Sequence, residues 1–329
     1  MTSVRVAVVQ AEPASSLDEG LHRTDALVRE ASRSGAQVVA FPETWLPGYP
    51  AWLDVCRDVA LWDHEPVKAT YSRYASGSID VSGEGGQFLR GVAERRGVTM
   101  IVGVSERVGA GPGRGTLYNA FLVIGPDGRL LNHHRKLVPT YTERMIWGNG
   151  DADGLTAVDT PTGRVGGLVC WEHWMPLARQ ALHDSGEDIH VALWPTVHER
   201  HQLASRHYAF EGRCFVLAAG SVMRASSLPP ALEVEKSRLT PGSPLVLRGG
   251  SAIIGPDAEY IVPPLWDRPG VLVADLDLDR VRRESMTLDV SGHYSRPDCL
   301  SMTVRRPSRR PVADAPFVPP TPPPNEVPA

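Results

Sequence analysis

The sequence predicts an α/β layered domain built on a mixed sheet. The chain opens strand–helix–strand, strand–helix alternation returns in its second half, and two Pro-Asp turns join antiparallel strand pairs.

Residues 4–10 form an apolar strand-like run, and 17–33 has helical spacing through Leu21, Ala26, Leu27 and Val28 until Gly35 stops it. Residues 37–41 are the next buried strand, followed by a Pro-, Gly- and aromatic-rich loop over 42–50. Residues 52–78 are aromatic and charged without a clean period, so their structure is left open. A helix at 85–96, a strand at 99–104 and two strands at 117–124 and 130–136 follow, the last two about the turn Pro126-Asp127-Gly128. The alternation then repeats as strand 165–169, helix 177–184, strand 190–193, helix 202–213 and strand 215–219. A second hairpin, 250–254 with 260–262, turns at Pro256-Asp257. Residues 223–247, rich in Pro, Ser and charge, read as a long surface insertion. The expected division is one catalytic domain over 1–300 and a proline-rich tail over 301–329, with the 319–324 run extended or disordered.

A chain of 329 residues with 42% hydrophobic and 22% charged residues can bury a substantial core. Its net charge of −4 and pI near 6.3 argue against nucleic acid or a membrane surface as partner. The N-terminus lacks the charged and apolar regions of a secretory leader, and no apolar run is long enough to cross a bilayer. Cys56, Cys170, Cys214 and Cys299 lie in no CxxC pair, which suits free thiols in a reducing cytoplasm.

Two features invite false readings. The GAGPGRG stretch at 109–115 joins two strands where a phosphate loop would open a helix, so it reads as a hairpin loop. His198 and His201 stand at helical spacing around Glu199, but the better reading is a polar helix start; no spacing in the chain supports a metal site.

The chemistry-bearing stretch is Val169-Cys170-Trp171-Glu172-His173-Trp174, where a buried strand ends in a thiol. A buried cysteine is usually a small hydrophobe, but Glu172 and His173 beside a core strand must be paired or used. A thiol with a pKa of about 8.5 needs a base or a cation to act as a nucleophile at neutral pH. His173 is close in sequence yet poorly placed to reach back. The chain has only three lysines, Lys68, Lys136 and Lys236, and Lys136 ends an apolar strand where a compact ammonium could stabilise one developing negative charge. Glu43 ends another buried strand. Open α/β sheets collect ligands at the carboxyl ends of their strands, so one cleft can gather Glu43, Lys136 and Cys170.

Glu43 in FPETWLPGYP, Lys136 in HRKLVPTYTERMIWGNGD and Cys170 in VCWEHWMPLAR resemble the glutamate–lysine–cysteine triad of the nitrilase superfamily. The similarity runs from about residue 4 to 298, and the Cys-Trp-Glu-His continuation resembles the true nitrilase and cyanide-hydrolysing branch. The resemblance implies a four-layer αββα sandwich with mixed sheets, assembled as a homodimer and extensible to spirals. It implies hydrolysis of a small-molecule nitrile to acid and ammonia without a cofactor. Cys170 would be the nucleophile, Glu43 the general base and Lys136 the cation, while Glu143 matches a second glutamate beside the triad. Tyr49, Trp171, His173 and Trp194 are expected to line the substrate pocket. An amidase or carbamoyl hydrolase with the same triad, a cyanide-hydrolysing enzyme, partial hydration to the amide, and a non-catalytic filament protein are the alternatives.

Overall fold

The computed structural model describes residues 3–306. The strands of the first half are β1 (Ser3–Gln10), β2 (Val38–Ala40), β3 (Thr99–Arg107), β4 (Leu117–Ile124) and β5 (Leu130–Arg135). Those of the second half are β6 (Val158–Thr160), β7 (Gly163–Val169), β8 (Ile189–Leu193), β9 (Phe215–Ala219), β10 (Val222–Arg224), β11 (Leu245–Ile254), β12 (Tyr260–Trp266) and β13 (Gly270–Asp277). They form two mixed sheets, β13-β1-β2-β3-β4-β5 and β10-β11-β9-β8-β7-β6, with β12 paired to β11. The centre of each is parallel, β1-β2-β3 in one and β7-β8-β9 in the other, and antiparallel strands complete both.

The helices are α1 (Leu17–Arg33), α2 (Trp52–Val55), α3 (Glu65–Gly77), α4 (Glu84–Arg96), α5 (Pro176–Asp184), α6 (Glu199–Gly212) and α7 (Asp279–Ser285). Ser16 caps α1 by accepting the Glu19 N–H, and Gly35, at φ +82°, takes the left-handed turn beyond its C-terminus.

Alternation along β1 sorts the layers. Val4, Val6 and Val8 pack against the second sheet, whereas Ala7 and Val9 pack against Val28 and Ala31 of α1 and Leu89 and Val92 of α4. On the far side of the second sheet lie Leu182 of α5 and Ala204, Tyr208 and Ala209 of α6. The result is the expected αββα sandwich. Phe121 is wholly buried between the sheets, where truncation to Ala would cost about 3–5 kcal/mol.

A third apolar cluster caps one end of the sandwich and corrects one expectation. Residues 223–247 are not simply a surface insertion, because Leu228 and Leu232 are buried with Trp52 and Leu53, and Cys56 bridges to Val234. A few widely spaced leucines anchor this irregular chain, although its average composition is polar. The 52–78 region supplies α2 and α3, the latter with Pro66 in its first turn. The 109–115 loop does join β3 to β4 as a hairpin.

Sequence reading missed β6, β10 and β13, of which β13 pairs along the whole of β1. Met302 and Val304 pack on the inter-sheet core, and Arg306 Nη2 donates to the Leu155 carbonyl at 3.1 Å. The rest of the expected tail, including 319–324, lies outside the described residues. No helix among the described residues is long and apolar enough to cross a membrane.

Candidate active site

Strand β7 delivers Cys170 at its carboxyl end, and the chain turns there into a 3-10 turn, Cys170–Trp174. Cys170 has φ +51°, a left-handed conformation that costs a non-glycine residue roughly 1–3 kcal/mol. Surrounding bonds hold it. The Val169 N–H donates to Glu172 Oε2 at 2.8 Å, and His173 Nδ1 lies 2.7 Å from the Cys170 carbonyl oxygen. The other oxygen of Glu172 accepts the Leu137 N–H at 2.8 Å, and His134 Nε2 bridges both oxygens at 3.0 and 3.1 Å. One buried carboxylate therefore ties the ends of β5 and β7 together.

Lys136 follows β5 directly, and its Nζ lies 3.1 Å from Glu43 Oε1 and 2.6 Å from Glu143 Oε2. Glu43 stands three residues beyond β2, and its N–H donates to the Trp194 carbonyl at 3.3 Å, which joins the two sheets at the site. Asn119 of β4 donates to Glu43 Oε1 at 2.6 Å while its own carbonyl accepts the Lys136 N–H at 2.7 Å. Glu43 Oε1 thus has two donors, and Oε2 has no partner among the described residues. Gly103 of β3 admits the Glu43 loop: a Cβ there would fall 2.2 Å from the Pro42 carbonyl oxygen and 2.9 Å from Glu43 Cα.

Glu143 sits in the 3-10 turn Tyr141–Met145, and its Oε2 accepts the Thr140 N–H at 2.8 Å. Its Oε1 accepts the Tyr49 hydroxyl at 3.1 Å. A ligand atom from each of Glu43, Glu143 and Cys170 lies within 4.8 Å of the others, the arrangement of a small cation site. The cation between the carboxylates is the Lys136 ammonium, which already engages both.

All four groups are buried. Burial pushes the Glu43 carboxyl up to about 7; Lys136 opposes that shift and Glu143 reinforces it. Burial and the Glu43 charge raise the Cys170 thiol well above its ordinary value, against the pull of Lys136. Burial alone would lower Lys136, but Glu43 and Glu143, joined by Cys170 when its thiol is ionised, outweigh it and keep the ammonium charged. At rest the site holds a neutral thiol, a base poised near neutrality and a permanent cation.

The four residues expected to line the pocket occupy different positions. Tyr49 is bonded to Glu143 and borders a cavity of about 420 Å³ shared with Trp52, Tyr74 and Met223. Trp171 is half exposed beside the nucleophile. His173 and Trp194 are buried behind it, with rings stacked at 4.6 Å. His201 Nδ1 lies 2.5 Å from the Thr196 carbonyl oxygen, and its ring stacks on that of His198.

Sequence reading passed over Asn119, His134 and Gly103. A polar residue inside the apolar run of β4 was the signal for Asn119; nothing local marked the other two.

A family model described as carbon-nitrogen hydrolase matches residues 5–284. The chain is 38% identical to an aliphatic nitrilase of Sinorhizobium fredii, over 92% of this chain and 96% of that protein. It is 37% identical to a bifunctional nitrilase/nitrile hydratase of Lupinus angustifolius, over 94% of this chain and 88% of that protein. Among solved structures it resembles a branch 10 member of the nitrilase superfamily from Saccharomyces cerevisiae. That match has a TM-score of 0.69 and 16% identity, covering 89% of this chain and 97% of the other, a likeness of fold.

Proposed function

We propose a reaction that proceeds from one premise: this chain belongs to the carbon-nitrogen hydrolase family, in the true nitrilase branch of the nitrilase superfamily. It is a hydrolase that converts an organic nitrile to the carboxylic acid and ammonia. The observation that carries the reading is Oε2 of Glu43, a buried carboxylate oxygen without a partner among the described residues, in the same small cluster as the Cys170 thiol.

Glu43 takes the thiol proton as Cys170 Sγ bonds to the nitrile carbon, because a thiol raised by burial is not ionised in advance. The nitrile nitrogen gains that proton, giving a thioimidate, while Lys136 offsets the negative charge that develops on nitrogen. Water, deprotonated by Glu43, adds to the same carbon; the nitrogen takes the returned proton and the proton of the added hydroxyl, the C–N bond breaks, ammonia leaves, and a thioester remains. A second water repeats the addition, the C–S bond breaks, and acid and free thiol are released. Glu143 orients the ammonium and Tyr49 orients Glu143. Tyr49 and Trp171 contact the substrate, and His173 and Trp194 form the wall behind the nucleophile.

The working unit is residues 1–300 in the cytoplasm, as a homodimer able to extend to spirals. Leu177 of α5 and Leu203 and Phe210 of α6, exposed apolar side chains, support a second copy on that face.

A panel of aliphatic, aryl and arylacetonitriles and cyanide, with ammonia, acid and amide measured together, tests the reaction. Acid and ammonia in equal amounts, with a Cys170 adduct in the mass spectrum of trapped enzyme, are expected. Turnover of amides but not of any nitrile, or turnover by Cys170→Ala, would overturn it.

A further inference from the structure

Behind the nucleophile a chain of four buried groups runs from α6 to the Cys170 peptide, and the reaction above uses none of them as reagents. His173 Nδ1 lies 2.7 Å from the Cys170 carbonyl oxygen, and His173 Nε2 lies 3.0 Å from His190 Nε2. His190 Nδ1 lies 2.8 Å from Glu187 Oε1, and Glu187 Oε2 meets the Tyr208 hydroxyl. Gly166 of β7 makes room for the carboxyl, since a Cβ there would fall 2.0 Å from Glu187 Oε1.

The carbonyl end sets the direction of every proton. A carbonyl oxygen only accepts, so His173 carries its proton on Nδ1 and, as a neutral ring, accepts at Nε2. His190 must then donate from Nε2 and, as a neutral ring, accept at Nδ1. The group facing that nitrogen is Glu187, which must donate. An ionised Glu187 would leave two facing lone pairs at the Cys170 carbonyl, or would require a buried imidazolium, at His190 against the carboxylate or at His173 beyond a neutral ring. Both are costly where all four side chains are buried.

We propose that Glu187 is a protonated carboxylic acid and the positioning residue at the head of a one-way hydrogen-bond chain that anchors the strained nucleophile turn through the Cys170 carbonyl. This inference rests on the nitrile-hydrolase reading for its kinetic consequence only. The Tyr208 hydroxyl and His183 oppose the acid form, and burial outweighs them. His183 of α5 and Arg179 share one partner, Glu211, at 3.1 and 2.7 Å. Glu172 is engaged with His134, and Tyr208 and Cys214 are held neutral by burial. Burial pushes the Glu187 carboxyl up to about 7 and lowers both imidazoles, His173 to about 3.

Nitrogen-15 NMR of histidine-labelled wild-type protein at pH 6 tests the protonation states without turnover. His173 should appear as the Nδ1–H tautomer and His190 as the Nε2–H tautomer. The infrared spectrum should contain a protonated-carboxyl stretch that persists in Glu43→Gln and vanishes in Glu187→Gln. A Gln side chain reproduces the acid's donor and acceptor, so Glu187→Gln should keep kcat within about threefold of wild type, whereas Glu187→Ala should lose about tenfold to a hundredfold. A descending limb of kcat above neutral pH, present in wild type, should be absent from Glu187→Gln. An imidazolium at His173 or His190, an Nδ1–H tautomer at His190, or a Glu187→Gln enzyme as impaired as Glu187→Ala would overturn the proposal. The NMR and infrared readings stand even where no nitrile is turned over.

Discussion

Lys136 Nζ lies 2.6 Å from Glu143 Oε2, a shorter contact than the 3.1 Å it makes with Glu43 Oε1. Glu143 therefore shares the ammonium with Glu43 through the tighter hydrogen bond, and Glu43 Oε2 is left open to accept a proton. The two carboxylates also repel, and Glu143 raises the proton affinity of Glu43. Glu143→Gln removes that charge while its amide oxygen can still accept the Tyr49 hydroxyl. The acid limb of kcat should move to lower pH, and kcat at its optimum should fall by about a hundredfold as Lys136 loses its tether. Turnover equal to wild type at every pH, in a folded variant, would remove Glu143 from the reaction.

Glu43 works as a carboxylate, so its protonation switches the enzyme off. With its carboxyl pushed up to about 7 by burial, kcat/KM should fall as pH drops through neutrality, well above the range of an ordinary glutamate. The rate of Cys170 alkylation by iodoacetamide should fall over the same interval. Glu43→Gln should lower kcat by about 10²–10⁴-fold at every pH and abolish that limb. An acid limb near pH 4 in wild type would mean that another group is the base.

The layers and the triad were legible because each rests on a local pattern. Strand β7 reads as Gly163–Val169 running into Cys170, and the turn beyond it is polar where the core is apolar. What escaped depends on partners distant in sequence. Strand β13 closes the first sheet against β1, pairing Asp277 with Ser3, and nothing near residue 277 announces that partner. Glu172 looked suspicious in the sequence, but its bonds to Leu137, 35 residues away, and His134, 38 away, became visible only once β5 lay beside β7. Leu228 and Leu232 were hidden by the polar residues around them.

Gly103 predicts a defect in catalysis without a defect in composition. A methyl group there would press on the Pro42 carbonyl oxygen at 2.2 Å and on the Thr44 N at 2.7 Å, both rigid backbone. The Glu43 loop must move away, and displacement of a catalytic group by about 1 Å can cost about a hundredfold in rate. Gly103→Ala should therefore lower kcat by about that factor, with a loss of stability of about 1–3 kcal/mol from overpacking. A crystal structure of the variant should show the Glu43 carboxylate withdrawn from Asn119. Wild-type kcat in Gly103→Ala would show that the loop tolerates the shift.

Glu172 separates positioning from chemistry. Burial would raise its carboxyl, but His134 and the backbone N–H groups of Leu137 and Val169 outweigh burial and hold it below the ordinary carboxylate range. A folded pKa below the unfolded one gives stability that is fully present above the unfolded value, about 4.3, and is lost as pH falls through the folded one. In Glu172→Gln one backbone N–H would face an NH₂ group, which should cost about 1–3 kcal/mol at pH 7. Denaturant titrations should show that deficit shrinking toward pH 3, because wild type loses its own advantage there. The ends of β5 and β7 would no longer be clamped, so kcat should fall with little change in KM while the acid limb set by Glu43 stays where it was. A pure loss of stability with wild-type kcat in the folded fraction would reduce Glu172 to a structural brace.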